Sequence, residues 1–244
     1  MEAGMTSGNP SLNSGTFETI SVRQGPVMTV TGTVSKTSIL LLLVILGATF
    51  TWNIQSGLSS GLMIGGAIGG FIVALITIFK KEWSPVTAPI YAILEGLFLG
   101  GISAVYNAQF QGIVLQAVML TFGVMAAMLF LYQSGIIKVT EKFRMGVFAA
   151  TGGIALVYIV SMVLGFFGIH IPFIQGGGAF GIGFSLIVVG IAALNLVMDF
   201  DTVDRGVAAG APRYMEWYCG FGLMVTLIWL YLELLRLLSK LQRR

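Results

Sequence analysis

The sequence predicts an all-α, polytopic membrane protein with seven transmembrane helices. Composition gives the class: of 244 residues, 56% are hydrophobic and only 9% are charged. The mean hydropathy is +0.93, whereas soluble domains carry about 25% charged residues. The apolar residues also fall in runs long enough to cross a bilayer, for which ~20 helical residues suffice. Cys219 is the only cysteine and His170 the only histidine. An internal disulfide framework is thereby excluded, and a His/Cys metal site is not expected.

Residues 1–36 are polar and rich in Gly, Ser, Thr and Asn. They lack the short apolar core and cleavage-like boundary of a secretion signal and read as a flexible cytoplasmic tail. The spans follow at about 37–54, 57–79, 87–106, 113–132, 146–168, 179–200 and 215–238. Short connections between them predict antiparallel neighbours in one bundle, with no inserted soluble domain. Lys80 and Lys81 follow the second span, Lys138, Lys142 and Arg144 the fourth, and Arg205 and Arg213 the sixth. Arg23 and Lys36 precede the first, while the loops "NIQS", "NAQFQG" and "GIHIPFIQGGG" contain no Lys or Arg. Basic loops favour the cytoplasm, which places the N-terminus inside. Seven crossings then leave Arg236, Lys240, Arg243 and Arg244 outside, against that rule. Either the short basic end is tolerated or the last segment crosses incompletely, and seven crossings is the reading adopted.

Glycine spacing predicts how the helices pack. Gly57, Gly61, Gly65 and Gly69 recur every four residues, Gly66 and Gly70 form a second pair, and Gly96 and Gly100 repeat the device. Small residues at this spacing allow close approach of a neighbouring backbone. The glycine-rich "GGGAFGIG" lacks the lysine and preceding strand of a phosphate-binding loop.

Ionisable residues at membrane depth are costly and become functional candidates by default. Glu95 falls about two turns into the third span. Asp199, Asp201 and Asp204 crowd "LNLVMDFDTVDRG" at the end of the sixth, and Glu216 opens the seventh. Glu95, Asp199, Asp201 and Glu216 are thus expected at one depth near the cytoplasmic boundary. Carboxylates brought together there would titrate as a coupled group, and their oxygens suit Ca²⁺. Protonation and cation binding would compete for the same atoms. The plainer alternatives are a loop charge for Asp204, an i,i+4 pair with Arg205 for Asp201, and a protonated, hydrogen-bonded Glu95. Glu233 lies roughly 26 Å of helix from Glu216 and is placed to pair with Arg236.

"LNLVMDFDTVDRG" followed by "YMEWYCGFGLMVTLIWLYLELLRLLSKL" resembles the Bax-inhibitor family (TMBIM, or YccA-like). The match is with a bacterial branch carrying a longer polar tail, "SGNPSLNSGTF", and covers residues 9 to 240. The resemblance implies a last helix wrapped by the other six and a multi-pass protein of the bacterial inner membrane. It also implies a Ca²⁺ leak latched by carboxylates on the sixth and seventh helices, assisted by an arginine near the end of the second. The sixth-helix acid falls on Asp199 or Asp201. The seventh-helix motif resembles Leu230-Tyr231-Leu232-Glu233, whereas ungapped alignment of the helices puts the acid near Thr226. In that register the latch is either absent or rebuilt from Glu216 and Glu95. The arginine position is approximated by Lys80 or Lys81, point charges without the planar fork.

The leading expectation is therefore a pH-sensitive Ca²⁺ or cation leak with no resident cofactor. The alternative is a non-transporting protein that binds a membrane partner such as a protease, as a YccA-like branch of the family does. No nucleic-acid partner is expected. Enzyme readings lack the required groups: the single histidine sits in an outer loop, the aspartates share one helix, and no lysine lies within the body of the last helix.

Overall fold

The computed structural model describes residues 25–52, 57–168, 176 and 178–243. Among them, seven helices are long and apolar enough to cross a membrane. They are α1 (Val30–Thr51), α2 (Gly57–Phe79), α3 (Ser84–Gln109), α4 (Ile113–Gln133), α5 (Glu141–Phe166), α6 (Ala179–Ala208) and α7 (Met215–Gln242). Each expected span has its helix, and the corrections lie at the ends. Residues 1–24, all of "NIQS" and His170 lie outside the described residues, so the expectations placed on them do too.

The first correction concerns α1, which begins at Val30 rather than 37. The Thr29 side chain caps it by accepting from Gly32 N at 2.9 Å, the standard N-cap arrangement. Residues 30–36, expected in the tail, are therefore helical, and Lys36 lies within a span. Just upstream the chain is also held: Met28 N donates to Ala211 O at 2.8 Å and Arg213 N to Pro26 O at 3.0 Å. The second correction concerns α6, which continues to Ala208. Nothing in "DTVDRGVA" breaks a helix until Gly210, whose φ is +63°, and Pro212. The three aspartates therefore sit inside the helix, and Asp204 is not a loop residue. Similarly, α5 starts at Glu141 rather than 146, because the Thr140 hydroxyl caps Phe143 N.

Long-range contacts fix the up-and-down order. On the face where α1 begins (the N-terminal face), Ser84 Oγ donates to Tyr214 O at 3.0 Å, joining the starts of α3 and α7. At the opposite face, Lys240 Nζ near the end of α7 donates to Gly181 O near the start of α6 at 3.0 Å.

Helix α7 is central and has two apolar sides. Leu223, Leu227, Leu230 and Leu234 pack with Ala192 and Leu196 of α6 and Ile113 and Ala117 of α4. Phe221, Met224 and Ile228 pack with α1 and α3. Helix α2 packs chiefly against α3.

The glycines divide into two groups. Gly96 meets α1 at Gly47, and a Cβ at Gly47 would lie 2.5 Å from Ile93 O and 3.1 Å from Gly96 Cα. Gly100 abuts Ala48 and Thr51 in the same crossing. On α2, a Cβ at Gly66 would lie 2.5 Å from Leu94 O, and Gly69 and Gly70 also face α3. The expected role fails at Gly61 and Gly65, where an added Cβ would meet nothing within 4 Å. A four-residue step overshoots a helical turn by about 40°, so the repeat wanders off the contact face. The surroundings of Gly57 lie outside the described residues.

Candidate functional site

Glu216 opens α7 and is only 2% exposed. Its Oε1 accepts from Thr29 N at 3.0 Å and from Thr29 Oγ1 at 3.1 Å. Oε2 makes no hydrogen bond, but Lys36 Nζ stands 4.0 Å and Arg213 Nε 3.9 Å away. Gly32 makes this possible, because a Cβ there would collide with the carboxylate. Glu216 thus ties the start of α1 to the start of α7, between two cations, and it is an anchor.

The aspartates of α6 point to different neighbours. Asp201 Oδ2 takes Arg144 Nη2 of α5 at 2.6 Å and Arg205 Nε at 2.7 Å. Asp204 Oδ2 accepts from Tyr132 OH of α4 at 2.7 Å. Asp199 turns the other way, toward α7, where its side-chain partner is Thr226 and Cys219 is within electrostatic reach. Its Oδ2 is buried and has no hydrogen-bond partner. Among the described residues no Lys or Arg forms a salt bridge with it. Of Asp199 and Asp201, it is Asp199 that points to the seventh helix, and the residue it meets there is a threonine.

Glu95 is half-buried on α3 and faces α2, its Oε2 lying 3.2 Å from a Cβ built on Gly70. It shares a side-chain hydrogen bond with Tyr91, one turn earlier. Lys81, in the 3-10 turn Lys81–Trp83, lies over the Tyr218 ring at 5.3 Å, and Lys80 is exposed before that turn. Neither forms a salt bridge with a described carboxylate.

At the opposite face a second polar centre surrounds Glu233, also 2% exposed. Arg236 Nη1 reaches both of its oxygens at 2.9 and 3.0 Å. Tyr158 OH of α5 donates to Oε1 at 2.9 Å and accepts from Arg236 at 2.6 Å. One turn on, Lys240 is 4% exposed and also donates to Ser185 Oγ at 2.9 Å.

The expected gathering of Glu95, Asp199, Asp201 and Glu216 does not form. Among the described residues, no three His, Cys, Asp or Glu side chains come together as a metal site. The acids neither share one depth nor face one another: Thr226, which Asp199 faces, lies about 15 Å of helix beyond Glu216 on α7, and the neighbours are α2 for Glu95, α7 for Asp199, α5 for Asp201 and α1 for Glu216. A latch rebuilt from Glu216 and Glu95 is likewise not formed. Sequence reasoning missed Thr29, Gly32, Tyr158 and the burial of Lys240. Only Thr29, a residue type favoured at a helix N-cap, offered a local signal.

A cavity of about 430 Å³ between α1, α3, α4 and α7 is lined almost entirely by apolar residues, including Leu41, Leu99, Phe122 and Ile228. No carboxylate lines it, so its chemistry is separate from that of Asp199.

Comparison with known proteins agrees with the architecture. No curated protein and no solved structure gives a match. The profile of the family described as Bax inhibitor 1 like matches residues 9–243, nearly the whole sequence. The chain belongs to that family.

Proposed function

We propose that this protein is a cation leak pathway of the bacterial inner membrane, with Ca²⁺ as the first ion to test and Asp199 as its ion-binding carboxylate. The observation that carries the reading is the buried Asp199 Oδ2 without a hydrogen-bond partner. An intramembrane carboxylate normally pairs with a cation or hydrogen-bond donors. Asp201, Glu216 and Glu233 all have basic partners within 4.0 Å, so Asp199 is the acid most open to exchange. Its oxygens suit a hard cation, and the Thr226 hydroxyl supplies another oxygen. Protonation removes the charge that draws the cation, so flux falls on acidification. The reading includes a cytoplasmic N-terminal face, on the strength of Lys80, Lys81, Arg144, Arg205 and Arg213. It involves no enzymatic chemistry.

The test is Ca²⁺ flux in proteoliposomes across a pH series, comparing the wild type with Asp199→Asn, Asp201→Asn and Glu216→Gln. Asp199→Asn should reduce flux at least tenfold and flatten its pH dependence. Identical flux in all four proteins at every pH would exclude the mechanism.

A second reading draws on the exposed Gly61 and Gly65, where an added Cβ would meet no helix among the described residues. A partner helix, such as that of a membrane protease, would pack there. Gly61→Leu and Gly65→Leu would then abolish cross-linking to the partner while leaving flux intact. Unchanged cross-linking would reject it.

A further inference from the structure

We propose that the boundary between α5 and the α6–α7 pair is a separable polar seam, and that cations cross the membrane along it when α5 withdraws. The proposal rests on the leak reading and gives that leak its route.

The inward residues of α5 follow a three-four spacing: Arg144, Val147, Thr151, Ile154 and Tyr158. Val147 and Ile154 are its only buried residues. The other three, seven positions apart, each make a polar bond at a different depth. Arg144 Nη2 holds Asp201 at 2.6 Å. Asn195 Nδ2 of α6 donates to Thr151 Oγ1 at 2.8 Å. Tyr158 OH holds Glu233 of α7 at 2.9 Å. Seven residues of helix advance about 10.5 Å, so the three bonds span about 21 Å of the ~30 Å hydrocarbon core.

The rest of α5 is loosely attached. Its main packing partner is α6, and added Cβ atoms at Gly146, Gly152, Gly153 and Gly165 would meet nothing within 4 Å. Lipid tails compete with an apolar helix face, so these polar bonds carry much of the attachment of α5. A polar row at three depths has a further consequence: withdrawal of α5 uncovers Asp201, Asn195 and Glu233 in succession across the bilayer. Asp199 lies one turn beyond Asn195 on α6, turned toward α7, so the route opens along the helix that carries the ion-binding carboxylate.

The test uses proteoliposomes of the full chain with Cys219, the single native thiol, replaced by serine. Asn195→Cys is exposed to a membrane-impermeant methanethiosulfonate, with Leu196→Cys as the fully buried comparison. Asn195→Cys should react at least tenfold faster than Leu196→Cys, and Tyr158→Phe should accelerate it severalfold further. The pair Thr151→Cys/Asn195→Cys, oxidised to a disulfide, should lose Ca²⁺ flux and regain it on reduction, the reduced form controlling for folding. Labelling no faster than at Leu196→Cys, with or without Tyr158→Phe, would overturn the seam even if flux through Asp199 persisted. Undiminished flux through the cross-linked protein would also overturn it as the route. Rapid labelling without flux in any variant would instead overturn the leak reading and leave a water-accessible seam.

Discussion

Glu216 and Asp199 each carry one buried carboxylate oxygen without a hydrogen bond. Their settings differ. Around Glu216, Thr29 supplies two donors and Lys36 and Arg213 stand within 4.0 Å. Asp199 has Thr226 and no cationic partner among the described residues. The fold therefore surrounds one acid with compensation and leaves the other exchangeable. Burial alone does not mark a functional carboxylate in this bundle; the inventory of partners does.

The largest effect should come from filling the space that Glu216 uses. Gly32→Val places carbon against its carboxylate, breaks both Thr29 bonds and drives the buried charge out of its place between Lys36 and Arg213. A loss of about 3–5 kcal/mol is expected, measured as a reduced denaturation midpoint in detergent. Wild-type stability would show that the Glu216 anchor is not needed.

Closing the other tight approach should cost somewhat less. Gly96→Val inserts side-chain volume between α3 and the α1 backbone, with an expected penalty of about 1–3 kcal/mol. The same substitution at Gly61 should change stability by under about 0.5 kcal/mol, and equal losses at the two sites would contradict the assigned helix contacts. Thr29→Val removes the cap of α1 and a hydroxyl bond to Glu216, for about 1–2 kcal/mol. Hydrogen exchange should localise that loss to residues 30–36, and protection there equal to wild type would refute the cap.

Tyr158→Phe should cost less than Thr29→Val, about 0.6 kcal/mol, the average for a hydrogen bond between transmembrane helices. A loss above about 3 kcal/mol would mean that α5 is held far more firmly than three polar bonds imply.

Much of the fold was legible because bilayer thickness dictates span length and the apolar runs meet it. Pairs within one helix were also legible: Asp201 with Arg205 at i,i+4, and Glu233 with Arg236 at i,i+3. What sequence could not supply was azimuth between helices. Asp199 and Asp201 sit at nearly one depth, but two residues turn a helix by about 200°. One therefore faces α7 and the other α5, and the expected four-acid cluster dissolves. The start of α1 was hidden for another reason. "TVTGTVSKT" is polar enough to read as tail, and its cap is stabilised by Glu216, 187 positions away. Lys240 was read as part of a basic end because its acceptors, Gly181 O and Ser185 Oγ, belong to a distant helix.

The contrast between the two acids is tested most directly by Ca²⁺ flux and thermal midpoint measured together on Asp199→Asn and Glu216→Gln. Asp199→Asn should keep its midpoint, since it removes a buried charge with no cationic partner, and lose at least nine-tenths of the flux, a tenfold drop worth about 1.4 kcal/mol in barrier. Glu216→Gln should lower the midpoint while the protein that remains folded conducts as wild type does. Full flux through Asp199→Asn, or loss of flux in Glu216→Gln alone, would contradict the account.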